Sequence, residues 1–203
     1  MKNRLLIALT GMTLLTAQPL MASGDIAAGE TKSAVCMACH GPAGISANPE
    51  WPSLAGQHEQ YIVKQLNNFK AQERHNDLMA PMAAPLSEQD MADLAAYYSS
   101  QKAAKPQKVE AEAAELGEAL YRGGDSAAGI AACIGCHGPT GEGNPQAKFP
   151  SVAGQHATYI ALQLKAFRGG ARTNDTGSMM RNITIRMTDA EIDAVSKYIA
   201  GLN

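Results

Sequence analysis

The chain has 203 residues, 45% of them hydrophobic and 18% charged, with a formal net charge of −2. That length suits one large domain or two small ones, and either half alone is small for a self-sufficient core, so each would gain from a cofactor that supplies apolar surface. The charge balance excludes a protein built to neutralise nucleic-acid phosphates, which needs a basic excess.

The first segment, MKNRLLIALTGMTLLTAQPLMASGD, opens with Lys2 and Arg4, continues as an apolar run from Leu5 to about Ala17 and ends in small residues near Ala22 and Ser23. That is the layout of a secretory signal peptide. The run is shorter than the ~20 residues a membrane span needs, which makes a retained anchor the weaker reading. Residues 1–22 are therefore read as a leader, whose loss takes the net charge from −2 to −4. Exported cysteines usually pair as disulfides, so the next motif is informative.

CMACH occupies residues 36–40 and is followed by a glycine-containing loop over 41–49 and by Pro52. Over 57–70 the apolar residues Tyr61, Ile62, Leu66 and Phe69 fall at three- and four-residue spacing and predict a helix. A methionine-containing loop follows, and then Ser87 stands as an N-cap before the apolar stripe Met91, Leu94, Tyr97 and Tyr98 of a terminal helix. Residues 102–115, rich in Lys, Ala and Glu with Pro106, read as a linker running into a further helix. The same series then runs again: CIGCH at 133–137, a loop over 138–147, Pro150, a helix over 155–168, a loop over 169–177, methionines, and Thr188 before Ile192, Val195 and Ile199. No strand-like alternation is present. The expected fold is all-α, in two tandem domains related by an internal repeat, over 23–101 and 116–203.

The repeat is close. WPSLAGQHEQYIVKQLNNFKAQERHND (51–77) matches FPSVAGQHATYIALQLKAFRGGARTND (149–175) at an offset of 98, with Gln57/Gln155, His58/His156, Tyr61/Tyr159 and Gln65/Gln163 among the shared positions. The cysteines repeat at an offset of 97 and the tails, 86–101 and 187–202, at 101.

All four cysteines lie in the two Cys-x-x-Cys-His frames. A four-thiolate zinc site would split one metal between two repeats and leave both histidines as coincidence. Thioredoxin-like chemistry wants a βαβ context that is missing, and a structural disulfide rarely closes so short a loop. Covalent attachment of a c-type haem demands this spacing. Cys36 and Cys39, and likewise Cys133 and Cys136, would add to the two vinyl groups of one haem, and His40 or His137 would be carried under the iron. The expectation is two covalently bound haem c groups, one per half.

A low-spin electron-transfer haem needs a sixth ligand, and a soft methionine thioether raises its potential. Of the ten methionines, only Met79 and Met180 superpose at the tail's offset; Met82 falls on Ile183 and Leu78 on Met179. Met79 and Met180 are therefore the expected distal ligands, with Met82 and Met179 as fallbacks. His58 and His156 also repeat and would make bis-histidine haems, but they sit near helix starts where a histidine commonly bonds locally. His75 has no counterpart and reads as a surface residue.

These residues resemble the di-haem cytochrome c4 family, two class I cytochrome c domains fused in one chain. The resemblance rests on CMACH, CIGCH, PSLAGQH, PSVAGQH, YRGG at 121–124, RTND at 172–175 and the two late methionines, and covers essentially the whole chain after the leader. It implies a periplasmic electron carrier rather than an enzyme, fed by a quinol-oxidising complex or another donor and feeding a terminal cytochrome c oxidase, with loose membrane association left open. It implies Met/His ligation at both irons, and proline carbonyls, from Pro52 and Pro150, that accept the ligand histidines' free ring N–H. The first half departs from the second by three fewer residues between Asp77 and Met79 than between Asp175 and Met180. A haem enzyme would need an open iron and nearby acid–base groups, and no unexplained constellation of that kind is present. A subunit fixed in a larger complex remains the other reading. Residues 23–105 sum to −3 and residues 116–203 to +1, an asymmetry that either orients docking at low salt or is too small to matter.

Overall fold

The computed structural model describes residues 23–109 and 111–202, so the expected leader over 1–22 lies outside the described residues. The first half holds α1 (Ile26–Ser33), α2 (Met37–His40), α3 (Glu59–Lys70), α4 (Met79–Ala83) and α5 (Glu88–Ser100). The second holds α6 (Ala111–Gly123), α7 (Ile134–His137), α8 (Ala157–Arg168), α9 (Met179–Thr184) and α10 (Asp189–Ala200). Helix α6 thus begins inside the stretch read as linker. No strand occurs among the described residues; the only extended pairings are isolated bridges, Asp125 with Ile130 and Asn144 with Phe149.

The last helix of each half organises its core. Helix α5 starts at Ser87, whose hydroxyl accepts the Asp90 N–H while the Asp90 carboxylate accepts the Ser87 N–H. Thr188 and Glu191 close the same reciprocal box at α10. Each satisfies donors that a bare helix start leaves without partners. From there the apolar stripe turns inward. In the first half Leu94, Ala95, Tyr97 and Tyr98 pack with Ile62 of α3. In the second, Ile192, Val195 and Ile199 pack with Leu120, Tyr121, Ile160 and Leu164. Fully burying one such large apolar side chain stabilises by about 1.5–3 kcal/mol. The two cores are separate, one to each half.

Helix α1 has no apolar stripe to announce it, and the sequence pattern gave no sign of it. It packs instead by close approach. A Cβ on Gly29 would lie 2.0 Å from the Asp93 carbonyl oxygen of α5. The second half repeats the device: a Cβ on Gly117 of α6 would lie 2.4 Å from the Ala194 carbonyl oxygen of α10. Only glycine lets the first helix of each half cross the last one backbone to backbone. In the first half a buried carboxylate adds to the join. Asp93 accepts the Asp25 backbone N–H at 2.9 Å and the Lys32 amine at 2.6 Å, so both ends of α1 are tied to α5.

Gly29→Val and Gly117→Val are each expected to destabilise the haem-loaded protein by about 2–3 kcal/mol, because neither carbonyl can move without disrupting its helix. Gly123→Ala, where nothing lies within 4 Å, is expected to be neutral or slightly stabilising. Denaturant midpoints at constant slope measure all three.

Candidate haem-attachment sites

Both Cys-x-x-Cys-His frames fold as a single helical turn. The His40 N–H reaches the Cys36 carbonyl at 2.9 Å, and the His137 N–H reaches the Cys133 carbonyl at 2.9 Å. One turn places both thiols and the imidazole on one short stretch. All four thiols are unpaired. Burial pushes the Cys36 thiol up, and the Cys133 thiol to about 11. No group of three or more histidine, cysteine or acidic side chains placed to hold a metal ion occurs among the described residues.

The chain turns sharply after each histidine. Gly41 has φ +77° and Gly138 φ +79°, and a Cβ on Gly41 would lie 1.8 Å from the Ile45 carbonyl oxygen. The turn brings the proline loop back over the imidazole. His40 Nδ1 lies 2.8 Å from the Pro52 carbonyl oxygen, and His137 Nδ1 lies 3.1 Å from that of Pro150. A carbonyl can only accept, so Nδ1 carries the proton in both rings and Nε2 keeps its lone pair. Burial lowers both imidazole pKa values, against a smaller opposing effect of the proline carbonyls. Both rings are thus held neutral, the form that binds a metal.

The methionines sort by exposure. Met79 and Met180 are half-buried, and Met180 packs on the second core, whereas Met82 and Met179 are 40% and 39% exposed. The two loops are held by different bonds. In the first half the Met79 N–H donates to Asn76 Oδ1 at 2.8 Å. In the second, Arg181 donates to the largely buried Asp175 carboxylate from its backbone N–H at 3.0 Å and from Nε at 2.7 Å. Burial would raise that carboxyl, but the bonds from Arg181 outweigh it and hold Asp175 below the ordinary range. Two unpaired thiols, a neutral imidazole with a free Nε2 and a half-buried thioether fit a haem c in each half. Tyr98 lies beside Cys36.

The repeated GQH segments do something else. They join the halves reciprocally. Gln57 Nε2 donates to the Ser151 carbonyl at 2.8 Å, and the Ser151 N–H returns a bond to Gln57 Oε1 at 3.0 Å. Gln155 makes the same pair with Ser53, at 2.8 and 3.0 Å. His58 Nε2 lies 2.7 Å from the Glu142 carbonyl oxygen and His156 Nε2 lies 2.9 Å from that of Ser46. Each Nε2 is therefore protonated and engaged across the interface, which leaves the bis-histidine reading without a free Nε2. Arg74 reaches Tyr159 and Gln163, and Arg172 reaches Tyr61 and Gln65. Each arginine also stacks on its own half's phenylalanine, Phe69 or Phe167. The contact is isologous, as between the subunits of a two-fold dimer. Residue spacing could not assign these roles, since partners lie 84 to 111 residues apart; their recurrence at one offset was the available signal.

A family model described as Cytochrome c matches residues 26–102 and 114–203. The cytochrome c4 of Thiocapsa roseopersicina is 52% identical over 182 residues, covering 89% of this chain and 94% of that protein. A thiosulfate dehydrogenase electron acceptor of Thiomonas intermedia is 43% identical over 179 residues, covering 86% and 81%. The crystal structure of reduced recombinant cytochrome c4 from Pseudomonas stutzeri superposes with a TM-score of 0.86 at 46% identity, covering 89% of this chain and all of that one.

Gln57→Ala with Gln155→Ala removes four bonds between the halves. The unsubstituted protein is expected to unfold in one transition and the double variant in two, at lower denaturant, as followed by far-UV dichroism and haem absorbance together.

Proposed function

Because the chain belongs to the cytochrome c family, and within it to the di-haem c4 proteins, we propose that it carries electrons through the periplasm, from a quinol-oxidising complex or another donor to a terminal cytochrome c oxidase. It is an electron-transfer protein with two haem c groups and redox partners, not an enzyme. Each haem, when bound, supplies one-electron chemistry between Fe(III) and Fe(II). The residues do the rest. Cys36 and Cys39, and Cys133 and Cys136, hold the groups covalently, so an exported protein does not lose them. His40 and Met79 ligate the first iron, and His137 and Met180 the second. The Pro52 and Pro150 carbonyls orient the imidazoles and raise their basicity. The thioethers favour the reduced state.

One observation carries this reading: in both halves, a neutral imidazole with a free Nε2 follows two unpaired thiols on one helical turn. A histidine and a methionine holding each iron would limit rearrangement on a change of oxidation state, which suits a carrier. The relative named as a thiosulfate dehydrogenase electron acceptor supports a second reading of the donor, an enzyme that oxidises a reduced sulfur compound. Reduction of the purified protein by one donor class and not the other separates the two.

A pyridine haemochrome assay is expected to give two c-type haems per chain. The oxidised protein is expected to show the weak far-red band of methionine-ligated ferric haem and no binding of peroxide. Met79→Ala and Met180→Ala are each expected to remove about half of that band. A high-spin or bis-histidine signature at either iron would sink the methionine assignment there.

A further inference from the structure

The peptide group between Pro52 and Ser53 has two partners at once. Its carbonyl oxygen accepts the His40 Nδ1–H at 2.8 Å. Its N–H donates to Gln155 Oε1, in the other half, at 3.0 Å. The group between Pro150 and Ser151 does the same. Its carbonyl accepts the His137 Nδ1–H at 3.1 Å, and its N–H donates to Gln57 Oε1 at 3.0 Å. We infer that Gln155 and Gln57 are positioning residues for electron transfer, each tuning the iron-ligating histidine of the opposite half through one shared peptide group. The inference rests on the reading that His40 and His137 ligate the irons.

A peptide is a single conjugated unit, so polarisation at its N–H is felt at its oxygen. Donation to the glutamine amide leaves more negative charge on the proline carbonyl, which then accepts more strongly from the imidazole. A stronger bond at Nδ1 makes the ring a more basic ligand and so favours the oxidised iron. The surroundings enhance the effect. Ser53 is buried, and a low local dielectric strengthens each member of such a chain. The glutamine's Nε2 also donates to the Ser53 carbonyl at 2.8 Å, so the serine is gripped on both sides. Each glutamine is fixed in turn at the start of its own half's helix. Gln155 Oε1 accepts the His156 N–H ahead of α8, and Gln57 Oε1 accepts the His58 N–H ahead of α3. Displacement of α8 is therefore passed to His40, and displacement of α3 to His137. The sign follows. Losing Gln155 weakens the His40 bond and raises the potential of the first half; losing Gln57 raises that of the second.

Spectroelectrochemistry and proton NMR of the oxidised holoprotein test this. Gln155→Ala is expected to move the hyperfine-shifted His40 Nδ1–H resonance. At a fixed poise it is expected to raise the reduced-to-oxidised ratio of the first half about threefold, with the second half unchanged. Gln57→Ala is expected to give the mirror result. Tyr159→Phe removes a different bond between the halves, the one from Arg74, and is expected to move neither histidine. Equal movement of both halves in either variant, or the same response to Tyr159→Phe, would reduce the glutamines to mere adhesion and overturn the inference. A hyperfine-shifted His40 proton that ignores Gln155→Ala overturns this inference alone. A His40 proton without hyperfine shift in the unsubstituted protein overturns the ligand reading and this inference with it. Should the variants not fold, amide exchange in the unsubstituted protein decides. The Ser53 and Ser151 N–H groups are expected to exchange only with separation of the halves, and rapid exchange counts against the idea.

Discussion

A carbonyl oxygen can accept a hydrogen bond and never donate one, and each half of this protein is arranged around a carbonyl at one place. The Pro52 and Pro150 oxygens force the proton of His40 and His137 onto Nδ1 and so leave the other nitrogen free. Much of the local architecture serves that contact. The single helical turn presents the ring, the glycine after it reverses the chain, and the loop returns at the distance that puts a proline over the imidazole. Proline supplies the acceptor but has no N–H of its own to donate. The residue after it supplies the donor that faces the other half. The site and the interface therefore share a peptide, and neither can be moved without the other.

The interface is polar in an uncommon way. Two arginines lie at its centre, Arg172 buried and Arg74 half-buried, and among the described residues neither forms an ion pair with a carboxylate. Their partners are the neutral oxygens of Gln65, Gln163, Tyr61 and Tyr159, and the faces of Phe69 and Phe167. Burying a guanidinium is costly unless its donors are filled, and here both halves fill them: Arg74 bonds Gln65 of its own half and Tyr159 and Gln163 of the other, while Arg172 bonds Gln163 and Asn174 of its own half and Tyr61 and Gln65 of the other. Such an interface gives register more than adhesion. A slide by one helical turn would strand both charges, so the halves have one favourable way to meet.

Much of this was legible in the residues. The two Cys-x-x-Cys-His frames, the paired capping residues Ser87 and Thr188, and the stripes of α5 and α10 follow from spacing alone, because each is a local pattern. Helix α1 was not legible. It packs through Gly29 rather than an apolar face, and a glycine in a sequence of eight residues carries no period. Nor was the part played by Gln57 and Gln155. They stood out as repeated, yet what they touch lies in the other half, and a repeat says that a residue is needed twice without saying where. Asn76 and Asn174 show the limit of the repeat itself. They align at the same offset, but Asn76 receives the Met79 N–H while Asn174 reaches across to Gln65 and Asn68.

Lys64 follows the same logic to a different end. Its amine reaches the Asn174 carbonyl across the interface at 2.6 Å, and the aligned residue in the second half is Leu162, which is 44% exposed. In a dimer of identical subunits, any mutation is written into both sides of the axis, so a lysine gained on one side arrives on the other as well. Two arginines already occupy that surface, and a matched pair of added cations would repel. Fusing the copies into one chain lifts this bookkeeping of symmetry. A single lysine can then be kept on one side only, and the two halves become free to differ where they face each other.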